Sequence, residues 1–107
     1  MTPITAAELD QWLGDTGRAP PLVLDVREPW EVNLAAFPDA LHVPMNQVPG
    51  SLQLIDDGRP VVCVCHHGAR SMQVALFLEN QGVTQVYNLT GGIDMWSAAI
   101  NPGIKRY

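Results

Sequence analysis

Two kinds of apolar run alternate along the 107-residue chain. Short continuous blocks rich in Val and Leu make up the first kind. Leu22-Val23-Leu24-Asp25-Val26 and Val61-Val62-Cys63-Val64-Cys65 read as strands covered on both faces. Gln85-Val86-Tyr87-Asn88-Leu89 is a third strand, and Leu41-His42-Val43, bracketed by Pro38 and Pro44, a brief extended piece. The second kind returns to an apolar residue every three or four positions and predicts helices. Thr5 and Glu8 stand at capping-box spacing, Ile4 and Leu9 are placed as the hydrophobic staple, and Gly14 is the stop. Leu9, Trp12 and Leu13 then face the core. Pro29 suits the first turn of a short helix. Another helix is expected near Asn46, weakened by Gly50, before the turn signal Asp56-Asp57-Gly58. Residues 71–81 form the most helix-like stretch, with Gln73 and Asn80 on its wet face and Gly82 at its end. Ile93, Trp96 and Ile100 share one face of a last helix, stopped by Pro102.

Strands alternating with helices over short connections imply right-handed crossovers, a mainly parallel central sheet and helices on both faces, an α/β fold. A chain of this length makes one small domain, residues 1–107. In such sheets ligands bind beyond the carboxyl ends of the strands. The loops at 25–29, 65–71 and 90–92 therefore gather on one rim, and they hold the most unusual polar residues.

Charge narrows the partners. A formal net charge of −5 with six basic residues disfavours nucleic acid and anionic membrane surfaces, which are bound by clustered Lys and Arg. No basic leader with an apolar stretch follows Met1, and no apolar run approaches the ~20 residues of a membrane helix, so a cytoplasmic location is expected. The two cysteines, Cys63 and Cys65, are one residue apart and cannot staple distant segments. They lack the second pair of a structural zinc site, although His42, His66 and His67 carry ligand chemistry. No metal is expected.

The segment Cys65-His66-His67-Gly68-Ala69-Arg70-Ser71 carries the chemistry. Between a strand and a helix start, successive backbone N–H groups can turn inward as an anion nest, reinforced by the helix dipole. If the anion is the sulfur of Cys65, a reactive thiolate exists at neutral pH. Gly68 permits the tight turn, Arg70 can brace the loop or meet an oxyanion, and Ser71 can donate a hydrogen bond. The bland alternative is a buried packing thiol in an ordinary strand-to-helix connection.

Four pieces of the chain, in order, resemble the single-domain rhodaneses, the thiosulfate sulfurtransferase family. They are Leu24-Asp25-Val26-Arg27-Glu28-Pro29-Trp30-Glu31, Pro38-Asp39-Ala40-Leu41-His42-Val43-Pro44, residues 65–71, and Leu89-Thr90-Gly91-Gly92-Ile93 with Trp96. The resemblance implies a rhodanese-like three-layer domain. It implies that the Cys65 thiolate takes one sulfur from a sulfane donor as a persulfide and passes it to an acceptor, with no cofactor. The amides of residues 66–71 would cradle the outer sulfur, and Arg70 with His66 or His67 would attract an anionic donor. The partners it implies are thiosulfate, cyanide and thiols, and also a thioredoxin-like or other sulfur-acceptor protein. Related phosphatases and arsenate reductases carry one more residue between cysteine and arginine; the four here make a ring that suits a single sulfur better than a tetrahedral phosphate. A cysteine phosphatase or arsenate reductase, or a noncatalytic interaction module that keeps the fold, are the alternatives.

Other residues earn quieter roles. Asp25 and Arg27 are read as support for neighbouring loops. Cys63, two residues before Cys65, points to the same side of its strand as a core thiol, with a resolving disulfide as the sharper option. His42 is read as structural. Trp30 and Trp96 are expected to seal helices against the sheet, and Gly91 and Gly92 to allow close backbone approach. One departure stands out: many rhodaneses that use thiosulfate place an arginine directly after the cysteine, where this chain has His66. A neutral imidazole attracts an oxyanion less than a guanidinium does and improves only in mild acid. His66→Arg is therefore expected to raise activity with thiosulfate, measured by steady-state kinetics; an unchanged or raised Michaelis constant contradicts this.

Overall fold

The computed structural model describes residues 1–55 and 58–107, so Asp56 and Asp57 of the expected turn lie outside it. Five strands, β1 (Thr2–Ile4), β2 (Leu22–Asp25), β3 (Leu41–His42), β4 (Val61–Val64) and β5 (Val86–Leu89), form one sheet in the order β1-β5-β4-β2-β3. Every pairing is parallel. Helices α1 (Ala6–Gly14), α2 (Pro29–Leu34), α3 (Leu52–Ile55) and α4 (Ala69–Asn80) lie in the connections, with a 3-10 helix at Met45–Ser51, and α5 (Gly92–Ala99) follows β5. No helix among the described residues is long and apolar enough to cross a membrane.

The central strand explains the two-sided packing. All four residues of β4 are buried, and alternate side chains leave by opposite faces. Val61, Cys63 and, just past the strand, Cys65 join one core with Val74, Ala75 and Leu78 of α4. Val62 and Val64 join the other with Leu9 and Trp12 of α1 and Ile93 and Trp96 of α5. This period of two decides the side on which the cysteine emerges. Register does the rest: Asp25 lies opposite both Val64 and His42, so the loops leaving β2, β3 and β4 start level with one another.

The expected capping box of α1 is present, with Glu8 N donating to Thr5 Oγ1 at 3.1 Å and Thr5 N donating to Glu8 Oε1 at 2.9 Å. Other expectations need correction. The leading segment is a strand: Thr2–Ile4 pairs with β5, a three-residue edge too short to show alternation. The helix near Asn46 is a 3-10 turn because Pro49 lacks the N–H and Gly50 the stiffness of an α-helix; only Leu52–Ile55 is α. Leu13 is half-exposed, since α1 turns Trp12 inward, where its indole donates to Ala19 O at 2.9 Å. Trp30 does not seal a helix. It is 60% exposed, because its neighbour Glu31, about 100° round α2, takes the inward direction.

Candidate active site

Cys65 lies at the first position beyond β4, its sulfur below the surface. Gly68 N donates to Sγ at 3.0 Å, closing the loop around it. The turn requires φ +111° at Gly68, where a side chain would be strained, and Gly68 is the residue that precedes α4 as its N-cap. Ser71 Oγ stands 3.3 Å from Sγ, 3.2 Å from Gly68 O and 2.5 Å from Asn88 Oδ1, and Asn88 Nδ2 donates to Gly68 O at 3.1 Å. Helix α4 starts at Ala69, two residues earlier than its periodicity indicated.

The loop's carbonyls face the other way. Ile93 N donates to Cys65 O at 2.9 Å and Asp94 N to His66 O at 3.1 Å, so the free amides of the first turn of α5 hold the loop. This contact needs Gly92. A Cβ there would lie 2.4 Å from both carbonyl oxygens, and its φ is +59°. Close backbone approach, expected at the two glycines, is what Gly92 provides.

Arg70 braces the loop. Its Nη1 and Nη2 donate to Glu31 Oε1 and Oε2 at 2.6 and 2.9 Å, and the Tyr107 hydroxyl donates to Glu31 Oε2 at 2.6 Å. Arg70 first, then Tyr107 and the Glu28 amide, outweigh burial and hold the Glu31 carboxyl at about 2. Arg27 is fully buried and bidentate on Asp25, through Nε–Oδ1 at 2.9 Å and Nη2–Oδ2 at 2.7 Å. Its other donors reach Ala35 O, Glu31 O and the Tyr107 oxygen. All five guanidinium N–H groups are thereby engaged, leaving none for a substrate. His42 Nε2 lies 2.7 Å from Arg27 O, a structural contact.

Cys63 is a fully buried free thiol, pushed up to about 12 by burial first and Cys65 second, so it stays protonated. The His66 ring is sandwiched between His67, with centroids 3.8 Å apart, and Tyr107 at 3.9 Å. Burial first and His67 second push His66 below its ordinary value, so any gain as an anion site is deferred to stronger acid than its unperturbed imidazole would need. His67 is exposed, 3.9 Å from Asp94. Donor atoms of His66, His67 and Asp94 come within 4.8 Å of one another, which gives this trio metal-ligand chemistry. The two imidazole rings are stacked at 26° and Asp94 is already paired with Arg106, so a metal would have to compete with that ion pair.

Residues 5–99 match the model of the rhodanese-like domain family. The chain belongs to the rhodanese-like family. A protein of Allochromatium vinosum named sulfurtransferase is 40% identical over 94 residues, covering 88% of this chain and 86% of that protein. A thiosulfate sulfurtransferase of Pseudomonas syringae pv. syringae is 32% identical over 75 residues, 70% of this chain and 71% of that one. The crystal structure of a rhodanese-like domain protein from Staphylococcus aureus superposes with TM-score 0.85 at 29% identity, over 100% of this chain and 99% of the other.

In this rhodanese-like chain the structure places residues 65–71 in the loop and first turn that follow β4, and sets Asp25 and Arg27 behind the neighbouring loop. Glu31, Asn88 and Tyr107 were given no role by sequence reasoning. Asn88 left a signal, a polar residue inside an apolar strand; Glu31 stood in a quoted motif; Tyr107, 76 positions from its partner, left none. The Glu31 shift sets a sign. A carboxyl held at about 2, against an ordinary 4.5, stabilises the fold above about 4.5, and that contribution is lost as pH falls toward 2. Allowing for screening at the partly exposed Arg70, the loss is of the order of 2 kcal/mol. Urea unfolding between pH 5 and 2 should show it in the native chain and not in Glu31→Gln; parallel curves contradict it.

Proposed function

We propose that this chain is a sulfurtransferase that carries sulfane sulfur on Cys65, with thiosulfate or a related anion as donor and cyanide or a thiol as acceptor. The observation that carries the reading is the hydrogen bond from the Gly68 amide to Cys65 Sγ at 3.0 Å, inside a loop of four residues between cysteine and arginine. A donor aimed at the sulfur favours thiolate over thiol, and the thiolate is the nucleophile. Family membership and relatives named sulfurtransferases support sulfur transfer as the general class of activity.

In the first half-reaction the Cys65 thiolate attacks the outer sulfur of thiosulfate. The new Sγ–S bond forms as the S–S bond of the donor breaks, and sulfite leaves with that bond's electron pair. The product is a persulfide anion on Cys65. In the second half, cyanide or a thiolate attacks the outer sulfur, thiocyanate or an organic persulfide departs, and the Cys65 thiolate is restored. Each half is a displacement at sulfur, so no net oxidant or reductant is consumed.

Loop residues 66–71 hold the anionic outer sulfur in this reading. Arg70, neutralised by Glu31, contributes mainly by fixing the loop, and the donor's charge is met at the loop mouth by His66 and His67. A small thiol or a thioredoxin-like or other sulfur-acceptor protein is the proposed biological acceptor. A mass spectrum after incubation with thiosulfate should show one added sulfur on Cys65, removed by cyanide or a thiol and missing in Cys65→Ser, while Cys63→Ser keeps turnover. No adduct, together with hydrolysis of an aryl phosphate, would overturn the reading in favour of a phosphatase.

A further inference from the structure

Ser71 has one hydroxyl proton and three neighbours positioned to receive it, Cys65 Sγ, Gly68 O and Asn88 Oδ1. Only one of them can have it. The Asn88 amide is oriented by Gly68 O, which accepts and cannot donate, so Nδ2 faces that carbonyl and Oδ1 faces Ser71. Two oxygens 2.5 Å apart then require the hydroxyl to donate to Asn88. Gly68 O is already served by Asn88 Nδ2 and by Met72 N at 3.1 Å. With its proton committed, Ser71 turns a lone pair toward Cys65, which suits a thiol S–H and opposes a thiolate.

We infer that Asn88 is a positioning residue that sets the reactivity of Cys65, by holding the Ser71 hydroxyl as an acceptor toward the thiol until the thiolate draws the proton across. The inference rests on Cys65 being the nucleophile. Asn88 is buried on β5 and, among the described residues, is linked to the sulfur through Ser71 and the Gly68 peptide. Its two bonds act in opposite directions. The one to Gly68 O steadies the loop that aims the Gly68 amide at Sγ and so favours thiolate. The one from Ser71 withholds a donor from Sγ and so favours thiol. Thiolate formation therefore carries a switch: the Ser71 proton leaves Asn88 for the sulfur.

Among the described residues the titratable and charged groups around Cys65 are Cys63 on β4, His66 and His67 in the loop, Arg70 on α4 with its partner Glu31 on α2, Asp94 on α5, and Tyr107 of the C-terminal segment. None is altered by changing Asn88, so a changed pH response at Cys65 reports the Ser71 proton and the Gly68 peptide, which the Ser71→Ala background separates. The site thus restrains its own thiolate, and replacing Asn88 with an apolar residue of similar size frees the Ser71 proton, which the charge of the thiolate draws in preference to the neutral Gly68 carbonyl, still served by Met72 N.

The test is the pH profile of Cys65 alkylation by iodoacetamide, with the modified residue assigned by fragmentation. Asn88→Leu should react roughly three- to tenfold faster than the native chain at about pH 6, with the high-pH plateau unchanged, the effect of one hydrogen bond gained by the thiolate. In a Ser71→Ala background the same change should have no effect. Asn88→Asp keeps the shape and the acceptor, and should react more slowly at about pH 6; it serves also if the leucine variant does not fold. Slower or unchanged reaction of Asn88→Leu, an equal acceleration without Ser71, or a faster Asn88→Asp would overturn the inference. Alkylation reads the thiolate itself, so this result stands apart from success or failure of the persulfide experiment.

Discussion

The site depends on one backbone arrangement: the carbonyls of Cys65 and His66 are spent on the first amides of α5, Ile93 N and Asp94 N, at 2.9 and 3.1 Å. Those two carbonyls belong to the peptides that carry the His66 and His67 amides, so the clasp fixes the loop as far as His67, and the next amide along, Gly68 N, meets the sulfur. The same contact satisfies helix-terminal N–H groups that would otherwise be buried without partners. It is possible because residue 92 is glycine, for a side chain there would overlap both carbonyl oxygens. Strand β4 places the cysteine, and α5 decides which way its loop faces.

Around that clasp the charged residues work as braces. Arg70 pairs with Glu31, Glu31 accepts from Tyr107, the Tyr107 oxygen accepts from Arg27, and Arg27 closes on Asp25. The chain of contacts ties α4, α2, the C-terminal segment and the end of β2 into one shell around the loop. A buried pair such as Asp25–Arg27 gains little net stability from charge alone, since desolvation offsets attraction. With every guanidinium donor used, its effect is to fix the β2–α2 loop against Ala35 and Glu31. Tyr107 lies beyond residues 5–99, the part that matches the family, yet it stacks on His66 within the shell.

The sequence made the frame legible where local physics governs. Continuous apolar blocks marked β2 and β4, a Val-Tyr-Leu-bearing segment marked β5, and the Thr5–Glu8 pair marked the start of α1, because these signals act over a few residues. The thiol loop was legible for the same reason, since its glycine, its arginine and its place between strand and helix are adjacent in the chain. Asn88–Ser71, Arg70–Glu31 and Tyr107–Arg27 were not, being contacts across 17, 39 and 80 positions that no periodicity encodes. Trp30 and Leu13 misled because hydrophobicity states a preference for burial without saying which of two helix neighbours receives the inward direction. Edge strand β1 was missed because a three-residue strand containing Pro3 has too few positions to show a pattern.

The central claim, that Cys65 accepts a single sulfur within this loop, is tested most directly by the stoichiometry of sulfite release when the chain meets excess thiosulfate with no acceptor present. One sulfite per chain, released in a single burst that then stops and resumes when cyanide is added, is the predicted result. Absence of a burst, or sulfite release that persists in Cys65→Ser, would contradict it.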